Sequence, residues 1–217
     1  MPLPYHAGKV QLSKPISKII MNLIENDTNI TRYAEPFCGM MRVGIEIMKN
    51  TKMKQYLFND IDKRVTVFLK ALQKGWLPKI ENISQQKWER YKSNKTISAQ
   101  KSFIGYMLGF GGQYFGGTRP IWVDILQRKY LQNKREKIKL LLPFFKSKKI
   151  SIQNKSAFDI DYKNTMIYCD PPYIKTGWRA KSKWNSDIEK QFWNVVYNWL
   201  EPSKQNIVVV SNSCRTT

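Results

Sequence analysis

The sequence predicts an α/β fold: a mostly parallel sheet with helices on both faces, interrupted by a largely helical insertion. Three observations carry that reading. Short apolar runs alternate with amphipathic stretches up to residue 74 and again from residue 147. Between those positions the alternation gives way to helical segments and one glycine-rich run. Several of the strand-like runs end in a turn or a carboxylate, and the carboxyl edge is where open α/β sheets hold ligands.

Taken in order, residues 13–26 read as a helix. Ser13 is placed to cap it, Pro15 falls in its first turn, and Ile16, Ile19, Ile20, Leu23 and Ile24 form its apolar stripe. Asn29 to Phe37 reads as a strand, and Met40 to Met48 as a helix entered through Gly39. Gln55 to Asn59 is a second strand, ending at Asp60, and Val65 to Gln73 is helical. Helical stretches follow at 84–94, 97–108 and 122–142, the last of them basic, with Gly109 to Gly117 as a glycine-aromatic run between the second and third. Strands are expected near 149–153, at Thr165–Cys169 and at Asn206–Val210, with a helix over 187–200. The chain thus divides into a sheet domain, residues 1–74 and 147–217, and an inserted region, 75–146, suited to recognition.

Length fits one domain with an insertion, and 42% apolar content suffices for a core. Charge is the outlier: 37 Lys and Arg against 16 Asp and Glu leave +21. That balance points to a polyanionic partner, nucleic acid above all, although a chain this rich in Lys, Asn and Ile also fits an A·T-rich genome. No stretch resembles a signal peptide, and no apolar run approaches the ~20 residues that span a bilayer. Cys38, Cys169 and Cys214 form no disulfide framework, and with His6 as the one histidine no zinc site is expected. The expected location is intracellular and reducing.

The strongest local signal is Asp170-Pro171-Pro172-Tyr173, directly after the apolar run Thr165–Cys169. Asp170 can accept a hydrogen bond from an exocyclic amine, the proline segment offers carbonyl acceptors, and Tyr173 gives a face on which a base can stack. Three earlier segments fit with it. In Glu35-Pro36-Phe37-Cys38-Gly39 the glycine lets a ligand approach the backbone. Asp60, about twenty residues on, stands where ribose hydroxyls are held in nucleotide-binding sheets, with Asp62 competing for the role. Lys9, within Tyr5-His6-Ala7-Gly8-Lys9, can meet an anionic group.

These segments together resemble the DNA adenine methylase (Dam) family, most closely its short phage and giant-virus members. The resemblance covers nearly the whole chain and keeps the family's motif order. It implies a Rossmann-like class I methyltransferase fold that uses S-adenosylmethionine and releases S-adenosylhomocysteine, without a metal. By the same resemblance Tyr5, Gly8 and Lys9 contact the cofactor, Glu35, Pro36, Phe37, Cys38 and Gly39 cradle its methionine part, and Asp60 holds its ribose. Ala157 and Phe158 would meet its adenine, and Asp170 would touch both cofactor and target. Double-stranded DNA is the implied partner, and a cognate restriction endonuclease fits a bacterial or viral-factory setting. Two departures stand out. Met40 and Met41 replace a small residue and a glycine, which either crowds the cofactor or marks a loop that runs differently. The sequence also ends at Ser211–Thr217, soon after the last strand, where the family continues into a closing hairpin, so a short sheet or a truncated chain is expected.

The mechanism so implied is direct transfer: a flipped adenine amine attacks the sulfonium methyl in line, with no covalent enzyme intermediate. Cys169 is expected to point away from Asp170, and Cys38 and Cys169 to be buried thiols on neighbouring strands. The basic, aromatic-laced segment 174–184, with Lys175, Arg179 and Lys181, is expected to act as a lid over DNA and cofactor. The glycine run is expected either to approach the DNA backbone, with Arg119 beside it, or to serve as a plain turn. Lys129, Lys134, Arg135, Lys137 and Lys139 are expected to form a phosphate-facing surface. The rival readings are an N(4)-cytosine methyltransferase and a DNA-binding remnant that has lost catalysis.

Overall fold

The computed structural model describes residues 11–117, 124–147, 149–172 and 184–211. Their strands, β1 (Arg32–Glu35), β2 (Gln55–Asn59), β3 (Ile150–Gln153), β4 (Thr165–Cys169) and β5 (Ile207–Val210), form one all-parallel sheet in the order β3-β2-β1-β4-β5. Ala34 lies beside Leu57 on one side and Ile167 on the other, so β1 is central. The chain builds outward from β1 to β2 and β3, then crosses back to β4 and β5. β1 and β4 therefore flank the topological switch point, where the carboxyl ends of neighbouring strands leave a crevice.

β1 is shorter than the expected Asn29–Phe37. Ile30 N–H turns back to Asp27 O at 3.2 Å, and Pro36 has no N–H to continue the ladder. Gln55–Asn59 forms as expected.

Helices α1 (Ser13–Glu25), α2 (Arg42–Asn50) and α3 (Lys63–Gln73) accompany the first strands. Leu12, not Ser13, occupies the cap position of α1; Ser13 is buried inside the first turn. α2 starts two residues later than expected because Met41 adopts a left-handed conformation (φ 54°) that a right-handed helix cannot include. Asp62 caps α3, accepting from Arg64 N–H at 2.9 Å.

The insertion contributes α4 (Gln85–Ser93), α5 (Ala99–Leu108) and α6 (Asp124–Ser147), the first two capped by Ser84 and Ser98. α6 runs past the expected end at 142, straight through Pro143. α7 (Ser186–Trp199) packs on the opposite face of the sheet.

Side-chain alternation along the strands splits the core in two. Tyr33, Phe58, Met166 and Tyr168 join α2, α3, α5 and α6 in the larger cluster, which also takes in Trp88 and Phe103 of the insertion. Ala34, Ile167 and Cys169 join Phe192, Val196 and Trp199 of α7 in the smaller one. The insertion thus shares a core with the sheet. Among the described residues no helix is long and apolar enough to cross a membrane.

Candidate active site

Strand alternation decides what reaches the switch point. On β1, Tyr33 and Glu35 point to the larger cluster and Ala34 to the smaller. On β4, Met166 and Tyr168 take the first side and Cys169 the second, which leaves Asp170 on the side of Glu35. Cys169 points away from Asp170, as expected. Cys38 is buried but sits in the turn after β1 rather than on a strand, because its N–H has already bonded Asn59 O at 2.8 Å.

Glu35 is 2% exposed. It accepts from Tyr33 Oη at 2.7 Å and from the Gly44 N–H in the first turn of α2. Burial pushes its carboxyl up to about 8; Tyr33 and Gly44 pull it down, and the neighbouring charge of Asp170 pushes it up. Gly44 makes this approach feasible. A Cβ there would lie 2.4 Å from Phe58 Cε1 and 2.9 Å from Glu35 Oε1.

The Gly39 turn is tied to the end of β2. Gly39 takes φ 49°, and its N–H donates to Asp60 Oδ2 at 2.9 Å. Asp62 N–H donates to Asp60 Oδ1 at 2.8 Å. Burial raises the Asp60 carboxyl to about 6, against the pull of those two N–H groups. Asp62 is engaged elsewhere: beyond capping α3, it holds Arg64 at 2.6 Å and accepts from Tyr106 Oη at 2.9 Å. Of the two competing acids, Asp60 is the one built into the crevice wall.

Met40 and Met41 are 2% and 0% exposed and pack in the larger core cluster. Their side chains go into the core. Ala157 is buried and Phe158 half-buried in a 3-10 turn that Ser156 caps through Phe158 N–H. Phe158 and Phe37 both pack against Trp184, with ring centroids 6.2 and 5.9 Å away.

At β4, Asp170 is half-buried, Pro171 buried and Pro172 exposed. Asp170 Oδ1 lies 3.0 Å from Ser211 Oγ, and Ser211 in turn accepts from Tyr168 Oη at 3.2 Å. Ser211 follows β5 and carries no motif, so only the β4–β5 pairing identifies it. Tyr33 was legible, since it stands two positions before Glu35 and so on the same face. Asn59, beside Asp60, has contacts that the sequence did not show: its amide donates to Pro36 O and Lys155 O, stitching three strand ends together.

The glycine run forms a tight turn. Phe110 N–H bonds Gly116 O at 3.0 Å and Phe115 N–H bonds Gly105 O at 3.0 Å. Phe115 packs inward on Trp88 at 4.6 Å, while Phe110 stands 71% exposed. Tyr106 on Asp62, and Arg64 over the Tyr114 ring at 4.4 Å, fasten this turn to the carboxyl edge of the sheet.

The expected phosphate-facing surface on α6 is divided. Lys129 and Lys139 are exposed, but Lys134, Arg135 and Lys137 are half-buried, and Lys134 lies over the Tyr130 ring at 4.8 Å. Tyr5, Gly8, Lys9, Arg119, Tyr173, Lys175, Arg179, Lys181 and Cys214 lie outside the described residues, as do most of the expected lid and the carboxyl-terminal segment after Ser211.

Residues 5–101 match the family model of the D12 class N6 adenine-specific DNA methyltransferases. The chain is similar to the modification methylase StsI of Streptococcus sanguinis, 25% identical over 225 residues that cover 89% of this chain and 32% of that protein. The chain therefore spans about a third of the length of that relative. Together with the parallel sheet, these matches make the chain similar to the D12 class N6 adenine-specific DNA methyltransferases, most directly over residues 5–101.

Proposed function

We propose that this chain transfers a methyl group from S-adenosylmethionine to the N(6) amine of a flipped adenine in double-stranded DNA. One observation carries the reading. In a chain of net charge +21, three carboxylates, Glu35, Asp60 and Asp170, gather at the carboxyl edge of β1, β2 and β4. Such a cluster, beside a left-handed glycine turn, suits a ligand bearing a sulfonium, an ammonium and a ribose diol.

The residues fit that ligand chemically. Glu35 and the Gly39 turn would hold its methionine part, Asp60 its ribose, and Ala157 with Phe158 its adenine. When bound, S-adenosylmethionine supplies an electrophilic methyl group and leaves as S-adenosylhomocysteine. The chain's own work is orientation. Asp170 accepts an N–H of the target amine, and the carbonyls of the Pro171-Pro172 segment add acceptors, so the nitrogen lone pair is freed from the ring and aimed. Tyr173 stacks on the flipped base and offsets part of the unstacking cost, about 1–3 kcal/mol. A cognate restriction endonuclease is a fitting partner for such an activity.

The test is incubation of the purified chain with labelled S-adenosylmethionine and unmethylated genomic DNA, beside Asp170→Ala, followed by digestion to nucleosides. Label in N(6)-methyladenine that drops at least ~100-fold in the variant is expected. Label in methylcytosine, or none while DNA is still bound, would overturn the reading.

A further inference from the structure

A groove of about 490 Å³ lies on the flank of the insertion, between α6 and the chain leading into α4. None of its lining residues belongs to the strand-end site. Its two walls differ in kind: Leu77, Pro78 and Ile80 form an apolar side, and Arg128, Gln132 and Arg135 of α6 a polar one, with Lys79 beside them. Positions 128, 132 and 135 recur at i, i+4 and i+7 and so share one stripe of the helix. The adjacent stripe, Gln127, Leu131 and Ile138, is buried in the protein and fixes the rotation of α6.

Among the described residues the arginines of this groove have no acidic partner: no acid lines it, and neither arginine forms an ion pair. Glu81, next in sequence to Ile80, is already engaged by Lys87, Tyr91 and Gln100. Arg135 is half-buried in the groove wall and Arg128 is exposed, and both line the groove. Seven residues of helix separate positions 128 and 135 by about 10 Å of rise, about three base pairs of rise along the duplex axis.

We propose that this groove takes the sugar–phosphate backbone of duplex DNA. Arg128 and Arg135 bind phosphates in forked geometry, and deoxyribose packs against Pro78 and Ile80. The contact carries no base information; it fixes where the duplex lies along α6 and hence which base meets the strand-end site. The inference rests on the proposed DNA substrate but concerns a separate surface.

The test is the salt dependence of binding of a labelled duplex, read by fluorescence anisotropy. Arg128→Ala is fully solvent-side and should fold; Arg135→Gln, checked by its melting curve, and Arg135→Lys, which keeps the charge, accompany it. Lys14→Ala/Lys18→Ala, two exposed positions on α1, removes equal charge elsewhere. The double variant Arg128→Ala/Arg135→Gln is expected to bind at least about tenfold more weakly, with a log–log salt slope shallower by about 2, and Arg128→Ala alone by about 1. The α1 double variant should keep the wild-type slope. Groove variants that match the α1 control overturn the proposal, and so does competition by free dAMP at the duplex's own affinity, which would make the groove a nucleotide pocket. S-adenosylhomocysteine binding, measured by calorimetry, separates the two readings. Wild type that methylates DNA while groove variants equal the control refutes the groove alone; wild type that binds neither cofactor product nor DNA refutes both.

Discussion

At the residue scale the site is governed by two buried acids held above their usual range, Glu35 at about 8 and Asp60 at about 6. Both keep their protons longer in the native state than in the unfolded chain, whose carboxyls titrate near 4.5 and 3.8. The native state therefore binds more protons between pH 4.5 and 8 for Glu35, and between 3.8 and 6 for Asp60. Stability is highest below those windows and falls as pH rises through them, by at most about 1.4 kcal/mol per pH unit for each acid. Glu35→Gln removes the larger window: urea midpoints followed from pH 6 to 8, above the Asp60 window, should fall in the wild type and stay nearly level in the variant. An unchanged slope would mean that Glu35 is ionised as it folds. Gly44→Ala tests the same packing by volume. Its Cβ would meet Phe58 and Glu35, and the expected loss is about 1–3 kcal/mol by denaturant unfolding. Ser211→Ala leaves the fold intact but removes the hydroxyl beside Asp170. On the proposed reaction it should lower kcat roughly tenfold with little change in KM, since a hydrogen bond to a charged group contributes about 1.5–3 kcal/mol; a pure KM effect would contradict a positioning role.

At the element scale, most strands and helices were legible because each obeys one periodicity and ends at a chemical stop. β2 was read to the residue, as its apolar run is bounded by Lys54 and Asp60. The misreadings have local causes: the left-handed Met41 delays α2, Pro36 ends β1, and a buried Ser13 leaves the cap to Leu12. The acids were legible because strand ends announce themselves. Ser211, the contacts of the Asn59 amide and the place of Arg128 beside Arg135 were not, because their neighbours come from distant segments and sequence spacing carries no trace of them. The glycine run is the element whose role sequence left most open, and its packing is strict. A Cβ on Gly109 would sit 1.8 Å from Gln113 O and 2.6 Å from Gly105 O, both backbone atoms that cannot move aside independently. Gly109→Ala should therefore dismantle the turn. Limited proteolysis is expected to cut the variant between residues 105 and 117 where wild type resists, and equal resistance would refute the rigidity inferred here.

At the scale of the whole molecule, two electrostatic environments coexist. The crevice at the switch point gathers Glu35, Asp60 and Asp170, within a chain whose net charge is +21. These environments respond differently to salt. Exposed cations that neutralise DNA phosphates release counterions, so affinity falls as a power of salt concentration; six or more contacts give a loss of about a thousandfold between 50 and 200 mM. Buried acids are screened far less, since their field runs through protein rather than electrolyte. Titrating the chain with duplex DNA and, separately, with S-adenosylhomocysteine across that salt range should therefore give a steep line for the first and a nearly flat one for the second. A steep line for S-adenosylhomocysteine would place it on the basic surface instead of the acidic crevice, and with it would fall the assignment of Glu35 and Asp60 to the cofactor. A flat line for DNA would mean that the net charge reflects composition alone, and the duplex would have to be held by contacts other than phosphates.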